Sequence, residues 1–270
     1  MSAPLVLVVE HEHDTGPALV GDRLVRAGLR LDLRRPWRGD PLPDDLSEHH
    51  GLLVLGGAMG PYEDARAPWL PAVRALLGEA VDQGLPTLGI CLGMELLTVA
   101  CGGEVVRAAH PEVGLVELTP LPECATDPLF GAVRGRPSAV QWHWEETARL
   151  PHGAVPLLTG VHCTHQAYRL GDRAWGVQFH PEVLAAETAQ WADDEAPVRA
   201  LGLDPAEVVR QVDRAEGVLR SCWGAWADRW AAVVLAPRPA GEPVPGPGTV
   251  PPPAAPESRP RPTPPVEGVA

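Results

Sequence analysis

The sequence predicts an α/β fold whose central sheet is mostly parallel and is covered by helices on both faces. Three observations indicate this fold: short apolar runs recur from residue 5 to residue 178, helical stretches separate the first runs, and turn residues bound them. Strands that alternate with helices form βαβ units, and such units build parallel sheets with helices on each face. In a sheet of this kind, the loops after the carboxyl ends of the strands form the ligand crevice.

The first half of the chain supplies the predicted parallel strands. Four short apolar runs are predicted as strands: LVLVV (5–9), LRLDL (29–33), LLVL (52–55) and TLGI (87–90). Between them, Leu, Val and Ala recur at helical spacing over 16–27 and 68–83. This spacing predicts a helix in each of the two stretches.

The middle of the chain, residues 104–178, is richer in short apolar runs. Examples are VGLVEL (113–118), SAVQW (138–142), AVPLLT (154–159), QAYRL (166–170) and AWGVQF (174–179). This pattern predicts added antiparallel strands near the edge of the sheet. Helical sequence returns from about residue 181.

A long helix is predicted over residues 205–234, with an apolar stripe along one face. The stripe consists of Leu219, Trp223, Trp226 and Trp230. Spacings of four, three and four residues bring such side chains together, which is typical of core packing. The alternative is an interface, so a homodimer through this Trp-rich helix stays open.

The composition changes after Ala236. The last 35 residues hold 13 of the 32 prolines and few large apolar side chains. Such a segment cannot bury enough surface to offset its ordering entropy, so we expect disorder there. Its RPRPTPP run (259–265) suits an aromatic groove on a partner, with an inert extension as the favoured alternative. The predicted domains are a catalytic domain over 1–192, a helical extension over 193–235 and this tail over 236–270.

Charge and cysteine content exclude several classes of partner. The formal net charge is −13, which makes nucleic acid or an anionic membrane an unfavourable partner. The N-terminal apolar run is five residues long without preceding basic residues, so we expect neither a secretory signal nor a membrane span, and a cytoplasmic protein. Five cysteines without CxxC spacing favour reduced thiols over a disulfide framework.

Cys91 stands in GICLGMELL (89–97), after a predicted strand and before a predicted helix that starts near Gly93. Glycines two residues before and after it allow a sharp turn that exposes the side chain at the carboxyl end of the sheet, as in a nucleophile elbow. The N–H groups of the helix N-terminus favour thiolate over thiol. For so short a motif, a buried structural cysteine is the alternative.

His180 ends the apolar run in GVQFHPE (176–182), and Glu182 follows two residues later. Residues i and i+2 of an extended chain project to the same side, so the Glu182 carboxylate reaches the ring nitrogen that faces away from the nucleophile. Pro181 stiffens the link because its ring fixes φ. The arrangement predicts that His180 exchanges a proton with Cys91 while Glu182 orients the ring.

A third motif, LVLGGAMGPYED (53–64), holds a buried strand that ends in Gly56 and Gly57. Since glycine has no Cβ, a backbone N–H there can point into the crevice. Together with the N–H of Leu92 it would form an oxyanion hole. An ordinary tight turn is the alternative.

Together these motifs resemble the triad-type, or class I, glutamine amidotransferase family, in particular stand-alone members similar to the amidotransferase domain of GMP synthase. LGGAMGPYED, GICLGMELL, QWHWEE and HQAYRLGDRAWGVQFHPE occur in the family's order, and the resemblance covers about residues 5–184. It implies a flavodoxin-like fold and hydrolysis of the glutamine side-chain amide through a γ-glutamyl thioester. By this resemblance, Cys91 is the nucleophile, His180 the general base and acid, and Glu182 the orienting partner. Gly57 and Leu92 would donate to the oxyanion.

Two positions in the expected glutamine pocket depart from the family pattern. Glu95 stands where most members have Gln, and a carboxylate can hold an ammonium but repels a nearby α-carboxylate. Related γ-glutamyl hydrolases carry Glu there. Trp144 stands where the family usually has Gly after His143, so its indole fills space that a substrate needs. The alternative is that both side chains turn aside harmlessly. The predicted substrate-binding residues are Gly56, Glu95, Trp142, His143 and Trp144.

Three functions are compatible with these residues. The first is an amidase that releases ammonia from glutamine, and because the chain shows no P-loop, an acceptor synthetase would be a separate protein. The second is a γ-glutamyl peptidase or hydrolase, which Glu95 favours. The third is a binding or regulatory protein that has lost efficient turnover, which Trp144 suggests. None of the three needs a cofactor.

Two histidine-containing runs, EHEHD (10–14) and HCTH (162–165), look like metal ligands. Neither has a partner set at the usual zinc spacing, so no metal site is predicted. His11 and His13 follow the first strand, where pocket loops lie. Substrate contact is therefore one interpretation of these two residues, and a solvated loop is the favoured one.

Overall fold

The computed structural model describes residues 3–237, which form an eight-stranded sheet with helices on both faces. Five neighbouring strands are parallel, in the spatial order β2-β1-β3-β4-β10. Their bounds are β1 Leu5–Val9, β2 Arg30–Arg34, β3 Gly51–Val54, β4 Thr87–Ile90 and β10 Ala174–Val177. The predicted α/β class with a mostly parallel sheet is confirmed. Of the four strands predicted in the first half, β1 and β4 have the predicted bounds, and β2 and β3 are shifted by one residue.

Three antiparallel strands complete one edge of the sheet, as the sequence predicts. They follow β10 in the order β9-β8-β6. Their bounds are β9 Ala167–Leu170, β8 Val155–Thr159 and β6 Thr119–Pro120. Each of them pairs antiparallel with its neighbour.

Two long strands form a separate ribbon instead of joining the sheet edge. They are β5, Glu104–Glu117, and β7, Ser138–Arg149, which pair antiparallel with each other. The sequence prediction placed VGLVEL and SAVQW at the sheet edge and was wrong on this point, because these runs find their pairing partners in one another. The ribbon meets the sheet where the N–H of His180 donates to the carbonyl of Val140 at 2.8 Å. It therefore lies against the carboxyl end of β10.

Within residues 3–237, six α-helices cover the sheet, and two short 3-10 helices lie at Pro36–Arg38 and Pro122–Thr126. Their bounds are α1 Ala18–Arg26, α2 Leu70–Asp82, α3 Leu92–Ala100, α4 Ala185–Ala192, α5 Glu195–Ala200 and α6 Pro205–Leu235. Alternate residues of β1 pack on opposite faces of the sheet. Val6 and Val8 belong to one hydrophobic cluster with α1 and α6, and Leu7 and Val9 belong to a second cluster with α2 and α3. The apolar strands β1 and β3 fit a sheet that is buried on both sides, whereas β2 at the sheet edge carries Arg and Asp.

Helix α6 packs on the body of the chain through its tryptophan stripe. Trp223, Trp226 and Trp230 are at most 1% exposed and belong to the same core as the strands. Arg23 of α1 also pairs with Asp228 of α6, its Nε lying 2.7 Å from Oδ1. The tryptophans are therefore buried within the chain, as core packing predicts, and a homodimer through this helix stays a prediction.

The division into domains at residues 192 and 193 stays a prediction, although α6 packs against both α1 and α4. The predicted tail, 236–270, lies outside the described residues from position 238 onward. Among residues 3–237, none of the helices combines the length and apolar character that a membrane crossing requires.

Candidate active site

A cavity of about 480 Å³ opens at the carboxyl ends of the parallel strands. Strands β1, β3, β4 and β10 are consecutive neighbours in the sheet, so the loops that follow them meet at one edge. Each of these loops contributes to the lining, together with the β5–β7 ribbon and the segment around α4 and α5. The sequence motifs at the ends of β3, β4 and β10 therefore converge, as their positions predict.

Cys91 occupies the sharp turn between β4 and α3. Its backbone has φ 51° and ψ −111°, a conformation that non-glycine residues rarely adopt and that stores strain. The flanking glycines are required by close packing. A Cβ on Gly89 would lie 2.4 Å from the carbonyl oxygen of Gly93, and a Cβ on Gly93 would lie 2.0 Å from that of Val54. The turn thus forces α3 against β3 and holds Cys91 in place.

The sulfur of Cys91 lies in a buried and negatively charged environment. Its side chain lines the cavity while the residue is only 5% exposed. Burial raises the pKa of the thiol well above its usual value, and the carboxylates of Glu95 and Glu182 raise it further. The N–H of Leu92 at the start of α3 acts in the opposite direction but is outweighed. The expectation that the helix N-terminus favours thiolate therefore fails for the unliganded chain.

His180 lines the same cavity, three residues beyond the end of β10. Its Nδ1 lies 2.7 Å from Oε1 of Glu182, and both side chains are buried. The ring of Trp191, on α4, stands edge-on to the imidazole with centroids 4.7 Å apart. The carboxylate and the indole together fix the orientation of the ring and leave Nε2 on the far side from Glu182.

Gly56 and Gly57 bring the end of β3 against both neighbouring loops. A Cβ on Gly56 would lie 3.0 Å from Cε1 of His180 and 3.6 Å from Cβ of Cys91. A Cβ on Gly57 would lie 3.0 Å from the Leu92 side chain. Gly57 lines the cavity, whereas Gly56 is buried between Cys91 and His180.

Glu95 stands one turn into α3 on the cavity wall and is 2% exposed. Its Oε1 accepts a hydrogen bond from Nε2 of Gln178 at 3.0 Å, and the same amide nitrogen lies 3.9 Å from the sulfur of Cys91. Within residues 3–237, Oε2 makes no hydrogen bond. Burial raises the pKa of Glu95 to about 7, against the opposing hydrogen bond from Gln178.

The β7 strand contributes Trp142, His143 and Trp144 to the lining. Trp142 packs against Trp191 with ring centroids 5.7 Å apart. Trp144 also lines the cavity, and its effect on substrate binding stays a prediction. His143 is 2% exposed, and its Nε2 lies 3.1 Å from Oε2 of Glu112, its cross-strand partner on β5.

Glu112, His143 and Cys163 offer metal-ligand atoms within 4.8 Å of one another. Glu112 is already engaged, because its Oε2 also accepts from Nε2 of Gln166 at 2.6 Å. Burial raises the pKa of Cys163, and a thiol must lose its proton to bind zinc. These contacts are those of a positioning network around His143, and the absence of a metal site stays a prediction.

Seven of the ten residues named from sequence line the cavity: Gly57, Cys91, Glu95, Trp142, His143, Trp144 and His180. Gly56, Leu92 and Glu182 lie directly behind them. The two histidines after β1 do not line it: His11 is buried and accepts from Nε1 of Trp69 at 3.0 Å, and burial lowers its pKa to about 3. The side chain of His13 is 81% exposed.

Sequence reasoning missed a second set of lining residues. They are Glu12, Asp14, Thr15, Ala58, Met59, Arg107, Glu145, Trp191, Asp194 and Pro197. The position after β1 predicts a pocket loop, and the sequence prediction considered His11 and His13 in it. The residues of this loop that line the cavity include Glu12 and Asp14 instead. For Trp191 on α4 the sequence carries no comparable signal.

Comparisons with known proteins give a consistent result. The sequence model described as glutamine amidotransferase class-I matches residues 19–194. Glutamine-hydrolysing GMP synthase of Heliobacterium modesticaldum is 35% identical over 136 residues, which is 49% of this chain and 24% of that protein. The Streptococcus pneumoniae enzyme of the same description is 33% identical over 137 residues, with the same two shares. The match thus spans about a quarter of the length of these relatives.

Two solved structures match over most of the chain. A glutamine amidotransferase from Thermotoga maritima has a TM-score of 0.77 at 25% identity and covers 86% of this chain and 99% of its own. A glutamine amidotransferase from Methylobacillus flagellatus has a TM-score of 0.75 at 30% identity, with 86% and 95% covered. Both agree with the predicted fold.

Proposed function

Because the chain belongs to the class-I glutamine amidotransferase family, we propose that it hydrolyses the side-chain amide of glutamine or of a substituted γ-glutamyl compound. The observation that carries this proposal is the position of Cys91. It lies on a strained turn in the same cavity as His180, and Glu182 holds the imidazole at 2.7 Å. A nucleophile, a base and an orienting carboxylate are the parts that acyl transfer through a thioester needs.

Acylation begins when a substrate amide occupies the cavity. The thiol is protonated in the unliganded chain, so proton transfer to Nε2 of His180 accompanies the attack of sulfur on the amide carbon. The carbon–sulfur bond forms, and the carbonyl oxygen takes the negative charge. Glu182 stabilises the imidazolium that forms, because its carboxylate lies 2.7 Å from Nδ1.

The oxyanion is stabilised by the backbone N–H groups of Gly57 and Leu92. Their support is positional: Gly57 lines the cavity beside the first turn of α3, and Leu92 is the first residue of that helix, directly after the nucleophile. Donors fixed in a buried site need no reorganisation as charge develops.

The tetrahedral intermediate collapses with loss of the amine. His180 returns its proton to the leaving nitrogen as the carbon–nitrogen bond breaks, which leaves the γ-glutamyl thioester on Cys91. A water molecule, deprotonated by the same imidazole, then attacks the thioester and releases glutamate and the free thiol. With glutamine the other product is ammonia, which would pass to a separate synthetase. With a substituted amide it is an amine, and no acceptor is needed.

The second class of substrate is favoured by Glu95. By the family resemblance, a buried carboxyl beside Cys91 stands where most members have an amide. Among residues 3–237 its Oε2 has no hydrogen-bond partner and can receive a donor from the substrate. An ammonium or substituted amine suits such a group better than a carboxylate does.

The test is amide hydrolysis by the full chain, measured as release of glutamate from glutamine and from a panel of γ-glutamyl amides. Cys91→Ala is expected to lower kcat/KM by about 10⁴-fold or more, because the thioester cannot form. Cys101→Ala is the matched control, since that thiol lies at the end of α3 outside the lining of the cavity. A γ-glutamyl adduct on Cys91 is expected by mass spectrometry after acid quench.

The proposal is overturned if no amide is turned over and no adduct is trapped on Cys91. The chain would then be a binding or regulatory protein on the same fold. Binding of glutamine without turnover, measured by calorimetry, would identify that outcome.

A further inference from the structure

The cavity that contains Cys91 carries an excess of negative charge. Its lining includes five carboxyl groups, on Glu12, Asp14, Glu95, Glu145 and Asp194. Within the described part of the chain, the lining contains a single arginine or lysine, Arg107, and its Nη1 is bonded to Oε1 of Glu145 at 2.7 Å. Four carboxyl groups thus have no cation opposite them within the lining, in a cavity where low dielectric strengthens charge interactions.

The carboxyl groups come from separate elements and surround the cavity. Glu12 and Asp14 follow β1, Glu145 lies on β7, and Asp194 precedes α5. Glu12 is held by the N–H of Ala58, the residue after Gly57, and burial raises its pKa. Their convergence from three parts of the fold distinguishes them from a solvated run of acidic residues.

Three indole rings line the same space. Trp142 and Trp144 come from β7, and Trp191 comes from α4. The faces of aromatic rings attract cations, most strongly for Trp and where water is excluded. Indoles interleaved with carboxylates form a surface suited to an ammonium group on an aliphatic chain.

Glu95 gives an independent indication of a cationic ligand. The residue is only 2% exposed, and its side chain lines the cavity. Its Oε2 has no hydrogen-bond partner among residues 3–237. Because Glu95 lines the cavity, a ligand there can supply the hydrogen-bond donor that Oε2 lacks. A positively charged donor gives the larger compensation.

From these features we infer that the preferred substrate is a γ-glutamyl amide whose leaving group is a diamine, so that a second ammonium rests among the indoles and carboxylates. This inference rests on the proposed function and names its substrate class. A cavity of about 480 Å³ has the size of sites for ligands larger than one amino acid. The bound cation also offsets the carboxylates that keep Cys91 protonated.

The reaction balances without a further reactant. Sulfur forms the thioester bond as the amide carbon–nitrogen bond breaks, and the nitrogen leaves with the proton that His180 took from Cys91. Water then hydrolyses the thioester. The products are glutamate and a diamine, and ammonia is not formed.

The experiment compares two amides of equal length, N-γ-glutamyl-1,4-diaminobutane and N-γ-glutamyl-pentylamine, with glutamine as the third substrate. All three give the same thioester, so differences in kcat/KM arise in binding and acylation. We expect the full-length protein to prefer the charged amide over the uncharged one by at least tenfold. The preference should fall as salt rises, because salt screens charge interactions.

Two double variants, each with two carboxylates removed, test whether the preference for the charged amide arises in the cavity. The double variant Glu12→Gln/Asp194→Asn is expected to lower the preference at least threefold. The control Glu48→Gln/Asp172→Asn removes two carboxylates at exposed positions outside the cavity and should leave the preference as in wild type. Thermal melting of both variants verifies that they are folded.

The inference is overturned if the two amides react equally, if the uncharged amide is preferred, or if glutamine has the higher kcat/KM. In each of these cases a Cys91-dependent hydrolysis still supports the proposed function. If none of the three substrates is hydrolysed, both the proposed function and the inference fail.

Discussion

Two regions meet in the candidate active site, and they are built by different means. One, the reacting edge, consists of the residues after β3, β4 and β10: 56–57, 91–92 and 178–182. The other, the enclosing wall, consists of residues 12–15, 142–145 and 191–197. Backbone geometry places the reacting edge, where a Cβ on Gly93 would lie 2.0 Å from a carbonyl oxygen. The enclosing wall is defined by long side chains from segments far apart in sequence.

This difference predicts that substitutions in the two regions have different effects. At the reacting edge, a small change in volume or charge should disturb the fold or the chemical step. At the enclosing wall, a change should alter which amide is accepted and leave the reaction itself in place. The following substitutions test that division, beginning with the largest expected effect.

Gly93→Ala tests how tightly the reacting edge is packed. The added methyl would lie 2.0 Å from the carbonyl oxygen of Val54, a backbone atom that cannot move without shifting β3. We expect the free energy of unfolding to fall by more than about 3 kcal/mol. Chemical denaturation followed by circular dichroism measures it.

Gly78→Ala is the matched control for this change. Gly78 lies inside α2, and nothing stands within 4 Å of the position of its Cβ. The methyl there should stabilise the chain by up to about 1 kcal/mol, because alanine favours helix. Equal effects of the two substitutions would contradict the close contact between α3 and β3.

Glu95→Gln tests the buried carboxyl at the boundary of the two regions. The pKa of Glu95 rises from 4.5 to about 7 on folding, so the folded chain holds this proton more tightly than the unfolded chain does. Stability of the wild type is therefore lost as pH rises from about 4.5 to about 7, and the variant escapes this loss. The advantage of Glu95→Gln should grow to about 3 kcal/mol by pH 8.

Unfolding midpoints in urea at pH 5 and pH 8 measure this effect. Glu48→Gln removes a carboxylate at an exposed position and serves as the control. An advantage of Glu95→Gln that is the same at both pH values would show that the buried carboxyl does not titrate in this range.

Glu182→Gln tests whether the charge of Glu182 stabilises His180 in its proposed role as the base. The amide keeps a hydrogen bond to Nδ1 of His180 but loses the charge that stabilises the imidazolium. We expect kcat/KM for a γ-glutamyl amide to fall about 100-fold, equivalent to about 2.7 kcal/mol. Glu187→Gln removes a neighbouring carboxylate that caps α4, and it should leave the rate within a few-fold of wild type. A larger loss in the control would contradict the assignment.

Trp191→Phe probes the enclosing wall and should have the smallest effect. Phenylalanine keeps an aromatic ring beside His180 but loses the hydrogen bond from Nε1 to the Asp14 carbonyl, 3.1 Å in the wild type. One hydrogen bond contributes about 1 kcal/mol, so KM should rise a few-fold while kcat stays. Trp37→Phe is the control, because its Nε1 has no hydrogen-bond partner among residues 3–237. A fall in kcat alone would place Trp191 with the reacting edge instead.

The reacting edge was predictable because its constraints are local in sequence. Gly89 and Gly93 bracket Cys91, and Glu182 follows His180 by two residues, so tight turns and strand alternation already relate these side chains. The parallel strands were predictable for the same reason, since each run is short, rich in apolar residues and bounded by turn residues. A sheet with both faces covered then brings the strand ends together.

The enclosing wall was not predictable to the same degree because it depends on pairing between distant segments. The ribbon of β5 and β7 brings residues 104–117 onto 138–149, and no local pattern separates such a pair from strands at the sheet edge. Trp191 reaches His180 only through the packing of α4. In the loop after β1, Glu12 lines the cavity and its neighbours His11 and His13 do not. Tertiary contacts, such as the hydrogen bond of Trp69 to His11, decide which of these side chains faces the cavity.

The raised pKa of Cys91 also bears on the chemical stability of this thiol. Peroxides and alkylating reagents attack the thiolate, and the protonated form reacts slowly. Because burial and two carboxylates keep the proton on sulfur, the unliganded chain resists oxidation and alkylation at its own nucleophile. Under the proposed function, reactivity appears when a substrate is bound and His180 accepts the proton, so the sulfur would be open to chemical damage for only a small part of each turnover.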